Sequence, residues 1–248
     1  MTLARTLKIA FSGAAALALV ACGSETEQAA DLAGEPIAAI PAPEGMEWRD
    51  VVQVTDYDGY LVGNPDAPIK LIEYASLTCG ACANFSVTGA QPLKEKYVNS
   101  GVVSFELRNQ IHNGIDLVMA RMVRCGSPEA FHPLADQVWA NLGTVLQQAQ
   151  ANPQALESAM QLPEDQRFVR VAEVTGLLDF FAARGLSADQ ARTCLADAQS
   201  VQAIAERSNQ QSEELGVTGT PTFFINGRKV DENGWAALEA LLQKAGAR

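Results

Sequence analysis

Ile69-Lys70-Leu71-Ile72-Glu73-Tyr74-Ala75-Ser76-Leu77-Thr78-Cys79-Gly80-Ala81-Cys82 is the stretch that decides how this chain folds. Its first seven residues, after Ala67-Pro68, are a mostly apolar run of strand length, as in a central strand covered on both faces. Beyond Cys79 the apolar positions Ala83, Phe85, Val87, Leu93 and Tyr97 suit a helix, interrupted near Gly89 and Pro92. A C-x-x-C therefore stands where a strand hands over to a helix. By itself the spacing fits half of a zinc site, a structural disulfide or a redox pair. Zinc would want a second C-x-x-C or a nearby histidine pair, and the only histidines are His112 and His132, so no metal is expected. At a helix N-terminus the unpaired N–H groups and the dipole favour an anion. Cys79 is therefore expected to be the exposed nucleophile with a depressed pKa, and Cys82, one turn further in, its buried resolving partner.

Working outward, Leu215-Gly216-Val217-Thr218-Gly219-Thr220-Pro221-Thr222-Phe223-Phe224-Ile225-Asn226-Gly227 reads as a loop, a strand and a tight Asn-Gly turn. Trp235, Leu238, Leu241 and Leu242 then recur at helical spacing. Between the two motifs, Val102 to Leu107 alternates as a strand. Pro221 begins the next core element more than 100 residues later, far beyond what one crossover helix needs. The intervening residues are helical in pattern. Ile115, Val118, Met119, Met122 and Val123 share one face, Ser127-Pro128-Glu129 opens a helix carrying Phe131, Leu134, Val138 and Leu142, Gly185 reads as a helix stop, and Ser187-Ala188-Asp189-Gln190 as a capping box.

A strand, a C-x-x-C opening a helix, and a distant G-T-P-T-F before a strand and hairpin resemble the thioredoxin-fold oxidoreductases. The stretch Gly63-Asn64-Pro65-Asp66-Ala67-Pro68, with Glu73 to Cys79 and Gly219 to Phe223, is similar to their periplasmic DsbA branch. The resemblance implies an α/β thioredoxin fold, at 51–112 and 208–248, with an all-helical insertion at 113–207. It implies a cis peptide between Thr220 and Pro221 that brings that loop beside the cysteines and binds substrate main chain. It also implies a proton-relay role for Glu73 behind Cys82; a surface-facing strand residue is the plain alternative, since a buried carboxylate is costly. His112 and His132 read as solvated or structural, and Trp139 as core.

At the N-terminus, Arg5 and Lys8 precede an apolar stretch, Ile9 to Ala21, too short to span a bilayer and suited to a secretory signal. Leu19-Val20-Ala21-Cys22-Gly23 resembles the bacterial lipobox, so 1–21 are expected to be removed and Cys22 lipidated. Residues 22–50, rich in Ala, Glu, Pro and Gly, read as a flexible tether whose roughly 27 residues would reach about 30 Å. Four cysteines then remain in an oxidising compartment. Cys125 and Cys194 are expected to pair across a loop of about 70 residues, worth roughly 4 kcal/mol on the chain-entropy model, although two free thiols would also fit.

The charge of −11, from 18 basic and 29 acidic residues without a basic run, sets aside binding to nucleic acid phosphates. The expected function is dithiol–disulfide exchange without cofactor or metal. A lipid-anchored periplasmic enzyme would oxidise exported cysteine-containing proteins and be recharged by a membrane redox partner. A reductase or isomerase of the same fold, or a tethered non-catalytic binding lipoprotein, are the alternatives. DsbA itself carries histidine before its second cysteine; here that position is Ala81, so the Cys79 pKa is expected below that of a free cysteine but above that of the histidine-bearing enzymes.

Overall fold

The structure, a computed structural model, describes residues 32–248; the expected signal 1–21 and Cys22 lie outside the described residues. Six strands, β1 (Val52–Val54), β2 (Tyr60–Val62), β3 (Ile69–Ala75), β4 (Val103–Asn109), β5 (Thr222–Ile225) and β6 (Arg228–Val230), form one sheet in the order β1-β2-β4-β3-β5-β6. The apolar run at 69–75 earns its central place because both of its edges are paired: parallel to β4, with Glu73 opposite Leu107, and antiparallel to β5, with Glu73 opposite Phe223. The alternation at 102–107 does make a strand, but neither face opens to solvent, since all of β4 is buried. Its Glu106 and Arg108 are buried as a pair, Nε to Oε1 at 2.7 Å, with Thr55 Oγ1 donating to the same carboxylate and the Tyr57 ring over the guanidinium.

A parallel pair needs a crossover, and the residues after the C-x-x-C supply it as helix α1 (Gly80–Phe85), which widens into π turns at Ser86–Ala90 and Leu93–Val98. The interruption near Gly89 has a packing cause, because a Cβ there would lie 2.9 Å from that of Trp235. The Asn226-Gly227 turn joins β5 to β6 with both residues left-handed, φ 51° and 79°, as a two-residue hairpin of this type requires.

Between β4 and β5 lie eight helices: α2 (Gly114–Met122), α3 (Phe131–Ala140), α4 (Leu142–Ala149), α5 (Pro153–Met160), α6 (Glu164–Val174), α7 (Leu177–Ala182), α8 (Ala188–Ala196) and α9 (Ala198–Leu215). They are the helical insertion of a thioredoxin fold. Ser187 and Gln190 cap each other reciprocally at the start of α8. The insertion boundary drawn at 207 falls inside α9, whose eighteen residues run on to Gly216 without a break, so no linker separates insertion from sheet there. Cys125, just past α2, is joined by a disulfide to Cys194 in α8. The chain closes with α10 (Trp235–Lys244).

The reading of 22–50 as a flexible tether needs correction from residue 32 onward. Leu32 and Trp48 are buried, Gly34 N–H donates to Lys244 O at 2.9 Å, Ile37 N–H to Gly246 O at 2.9 Å, and Ile40 N–H to Ser100 O at 2.8 Å. Composition hid this because the segment has no periodicity of its own. It docks by occasional apolar residues and by satisfying carbonyls that the end of α10 leaves unpaired.

His132, on α3, is buried with Nε2 2.9 Å from Tyr60 O, and burial, with the Lys94 charge, pulls its pKa down to about 3. The ring is therefore neutral and Nε2–H donates to the carbonyl. A depressed histidine binds fewer protons folded than unfolded, so its contribution is intact above the ordinary value of 6.5 and lost as pH falls toward 3. Replacing His132 with Gln should flatten the acid limb. By pH 5 the wild type should have lost about 2 kcal/mol relative to the variant, beyond any difference at pH 8, in paired urea unfolding curves.

Candidate active site

Strand β3 ends at Ala75, and the short loop Ser76–Thr78 delivers Cys79 as the N-cap residue of α1. That loop is fastened from below. Asp116, fully buried at the start of α2, accepts from Ser76 Oγ at 2.7 Å and Leu77 N–H at 2.8 Å, while Trp139 Nε1–H donates to Ser76 O at 3.0 Å. Asn113 adds a bond from Nδ2 to Thr78 Oγ1 at 3.2 Å. Burial raises the Asp116 pKa against the pull of these donors.

Cys79 and Cys82 are both free thiols, the first partly exposed and the second buried. Cys82 N–H donates to Cys79 Sγ at 3.2 Å, and Cys79 Sγ–H donates to Thr220 O at 3.3 Å. The Cys79 pKa falls to about 5: hydrogen bonding from the Cys82 side chain is the largest cause, and the Thr220 side chain and the N–H groups of Cys82 and Ala81 add to it against partial burial. Cys82 goes the other way, far above an ordinary thiol, through burial first, then its bond to Cys79 and its electrostatic coupling to the Glu73 carboxyl. Two chemically identical thiols three residues apart thus become a stable thiolate and a reluctant one.

Glu73 is buried, and its Oε1 has no hydrogen-bond partner. Burial first, then the charges of Asp136 and Cys79, raise its pKa well above the ordinary carboxylate value, which favours the protonated acid. The peptide Thr220-Pro221 is cis, and Pro221 is buried against the site while the Thr220 carbonyl faces the sulfur. Cys79, Cys82, Glu73, Thr220 and Pro221 are thus brought together; Cys125 and Cys194 stand apart in their own disulfide, and no group of three or more His, Cys, Asp or Glu side chains suited to a metal gathers among the described residues. Sequence reasoning did not single out Asp116, in the first turn of α2, and set His112 aside as solvated or structural. Its ring nitrogen Nε2 lies 3.3 Å from Thr220 Oγ1.

A family model described as Thioredoxin matches residues 55–244. A Rickettsia bellii protein named "Putative protein-disulfide oxidoreductase" is 25% identical over 204 residues, 82% of this chain and 70% of that one; across the Rickettsia relatives the chain covers 56 to 70% of their length. Among solved structures, a protein-disulfide isomerase from Novosphingobium aromaticivorans superposes with a TM-score of 0.70 at 25% identity, over 76% of this chain and 97% of that one. Wolbachia pipientis alpha-DsbA1, at 23% identity and a TM-score of 0.60 over 76% of this chain and 91% of its own, shares the fold. Because the matched span takes in the sheet from β2 to α10 together with the insertion between them, the chain belongs to the thioredoxin family and is a thiol-disulfide oxidoreductase.

Proposed function

We propose that this protein is a disulfide oxidase of exported proteins, tethered by lipid on Cys22 and working in the periplasm. The observation that carries the reading is the opposed ionisation of the two thiols: whatever stabilises the reduced thiolate makes the disulfide a stronger oxidant. In the oxidised enzyme a substrate thiolate attacks Cys79 Sγ, the Cys79–Cys82 bond breaks, and the electron pair leaves on Cys82. That thiolate is costly in its buried position, and the proton held by Glu73 neutralises it. A second substrate thiolate then attacks the substrate sulfur of the mixed disulfide and expels Cys79, which departs readily because its thiolate is stable. The substrate loses two electrons and becomes a disulfide. The enzyme gains them and hands them on to a membrane redox partner that accepts electrons from dithiols. The Thr220 and Pro221 main chain would hold the extended substrate beside the sulfur.

Export is supported by the Cys125–Cys194 disulfide, a bond that persists in oxidising compartments, and by the signal-like N-terminus. The direction of exchange is tested by equilibrating the Cys79–Cys82 pair with glutathione. A potential near the oxidising end of the family supports the oxidase, and one near thioredoxin's about −270 mV would favour a reductase.

Two side chains can be varied within this reading. Ala81 is exposed, so a longer side chain there meets solvent, and Ala81→His should lower the Cys79 pKa by about 1 unit and shift the glutathione equilibrium toward the dithiol by up to about tenfold. Glu73→Gln removes the proton but keeps the volume. It should slow mixed-disulfide formation with a model peptide by about 10–100-fold in stopped flow, leaving the ionisation midpoint of Cys79 within about half a unit.

A further inference from the structure

Ala81 leaves the C-x-x-C without an imidazole, yet one stands beside Thr220, whose carbonyl contacts the Cys79 sulfur. His112 lies in the loop between β4 and α2, exposed, with Nε2 3.3 Å from Thr220 Oγ1, and the carbonyl of the same Thr220 accepts from Cys79 Sγ at 3.3 Å. The three residues come from segments 108 and 141 positions apart, so neither spacing nor periodicity could have grouped them. The loop that carries His112 is held in place, because its N–H donates to Asp116 Oδ2 at 2.8 Å. The same carboxylate fixes Ser76 and Leu77, just ahead of Cys79. One buried acid thus sets the distance between the imidazole and the nucleophile.

A threonine hydroxyl has one hydrogen to give. While Cys79 is a thiol, its own S–H goes to the Thr220 carbonyl. As a thiolate it has no hydrogen, and that carbonyl becomes an unfavourable neighbour, so the sulfur needs donors. Cys82 N–H is one, and the Thr220 hydroxyl is a second only if its hydrogen is not spent on His112. An Nε2–H on the ring, present in the imidazolium and in one neutral tautomer, bonds to the Thr220 oxygen and leaves the hydroxyl hydrogen for the sulfur.

We propose that His112 is a positioning residue for the exchange reaction, its Nε2–H donating to Thr220 Oγ1 and so directing the Thr220 hydroxyl at the Cys79 sulfur. It supplies from another loop the imidazole that Ala81 does not. The proposal rests on the oxidoreductase reading above, but its first readout does not need exchange activity.

The test measures the ionisation midpoint of Cys79 from thiolate absorbance near 240 nm, and the glutathione equilibrium of the Cys79–Cys82 pair, in the full folded chain. The variants are His112→Ala, Thr220→Val, the two combined, and Thr220→Ser. The expected result is a midpoint raised by about 0.5–1 unit in each of the first two, with the equilibrium moved about three- to tenfold toward the disulfide, which corresponds to about 15–30 mV. The combined variant should go no further than either alone, and Thr220→Ser, which keeps the hydroxyl, should stay near wild type. A His112 that merely packs would change the melting temperature and leave midpoint and equilibrium where they are. An unmoved midpoint in His112→Ala, or fully additive effects in the combined variant, would overturn the proposal. Failure of the wild type to equilibrate with glutathione would instead overturn the oxidoreductase reading, while the midpoint comparison still decides the role of His112.

Discussion

Cys82→Ser should accumulate mixed disulfides through Cys79, and Cys79→Ser should abolish exchange, a loss of at least about a thousandfold in peptide oxidation. The reason is the division of labour between the two sulfurs. A thiol with a pKa of about 5 is almost wholly thiolate at pH 7, against a few per cent for a free cysteine. The gain in speed is smaller than that ratio suggests, since nucleophilicity falls with pKa at a Brønsted slope of about 0.4–0.5. At pH 7 the two effects nearly cancel, and the diagnostic is therefore the shape of the pH profile. Reaction of the reduced protein with a small disulfide reagent should reach half its plateau near pH 5 and stay flat above about pH 6.5, where an ordinary thiol is still gaining tenfold per unit. Cys82 is buried with its ionisation pushed far up, and it should contribute nothing over that range. Peptide mapping that found Cys82 modified first, or a profile still rising through pH 8, would reverse the assignment of nucleophile and resolving partner. The same sign governs stability. A depressed thiol stabilises the reduced fold above the ordinary thiol value, and that contribution is lost as pH falls through about 5, so the Cys79 contribution grows as pH rises from about 5 to the ordinary thiol value.

Replacing Cys125 and Cys194 together by Ala should lower unfolding free energy by about 4 kcal/mol, read as the difference in urea midpoint times a common slope. The bond closes a loop of 69 residues, and it ties the end of α2 to the middle of α8, so its removal releases a large part of the insertion in the unfolded chain. It lies apart from Cys79, so the double variant should keep most of its exchange activity at temperatures where it remains folded. A loss below about 1 kcal/mol would mean that the helices of the insertion, rather than the disulfide, limit unfolding.

Where the sequence was readable, the chemistry was local. Cys79, Gly80, Ala81 and Cys82 are contiguous, the apolar run before them is itself a strand, and Asn226-Gly227 can hardly be anything but a tight turn. The capping box at Ser187 is likewise a matter of four neighbouring residues. Where it misled or fell silent, the determining contacts were distant. The segment from Leu32 to Asp50 has the composition of a tether, and it is held down by carbonyls of Lys244 and Gly246 at the far end of the chain. Asp116 looks like a helix-start acid until it is seen to hold Ser76, forty residues away.

The chain alone determined that a strand would deliver a cysteine pair to the head of a helix, that a Thr-Pro loop and a strand would follow far downstream, and that helices would fill the stretch between. All of these rest on backbone preferences and short-range patterns that act within a few residues. Only the tertiary structure decided which donors hold the Cys79 thiolate, that Glu73 is buried with its carboxyl pKa raised, and that His112 came to stand over Thr220. Those outcomes depend on desolvation and on hydrogen bonds between segments more than a hundred residues apart, and burial and proximity across a folded chain are properties that no single stretch of sequence carries.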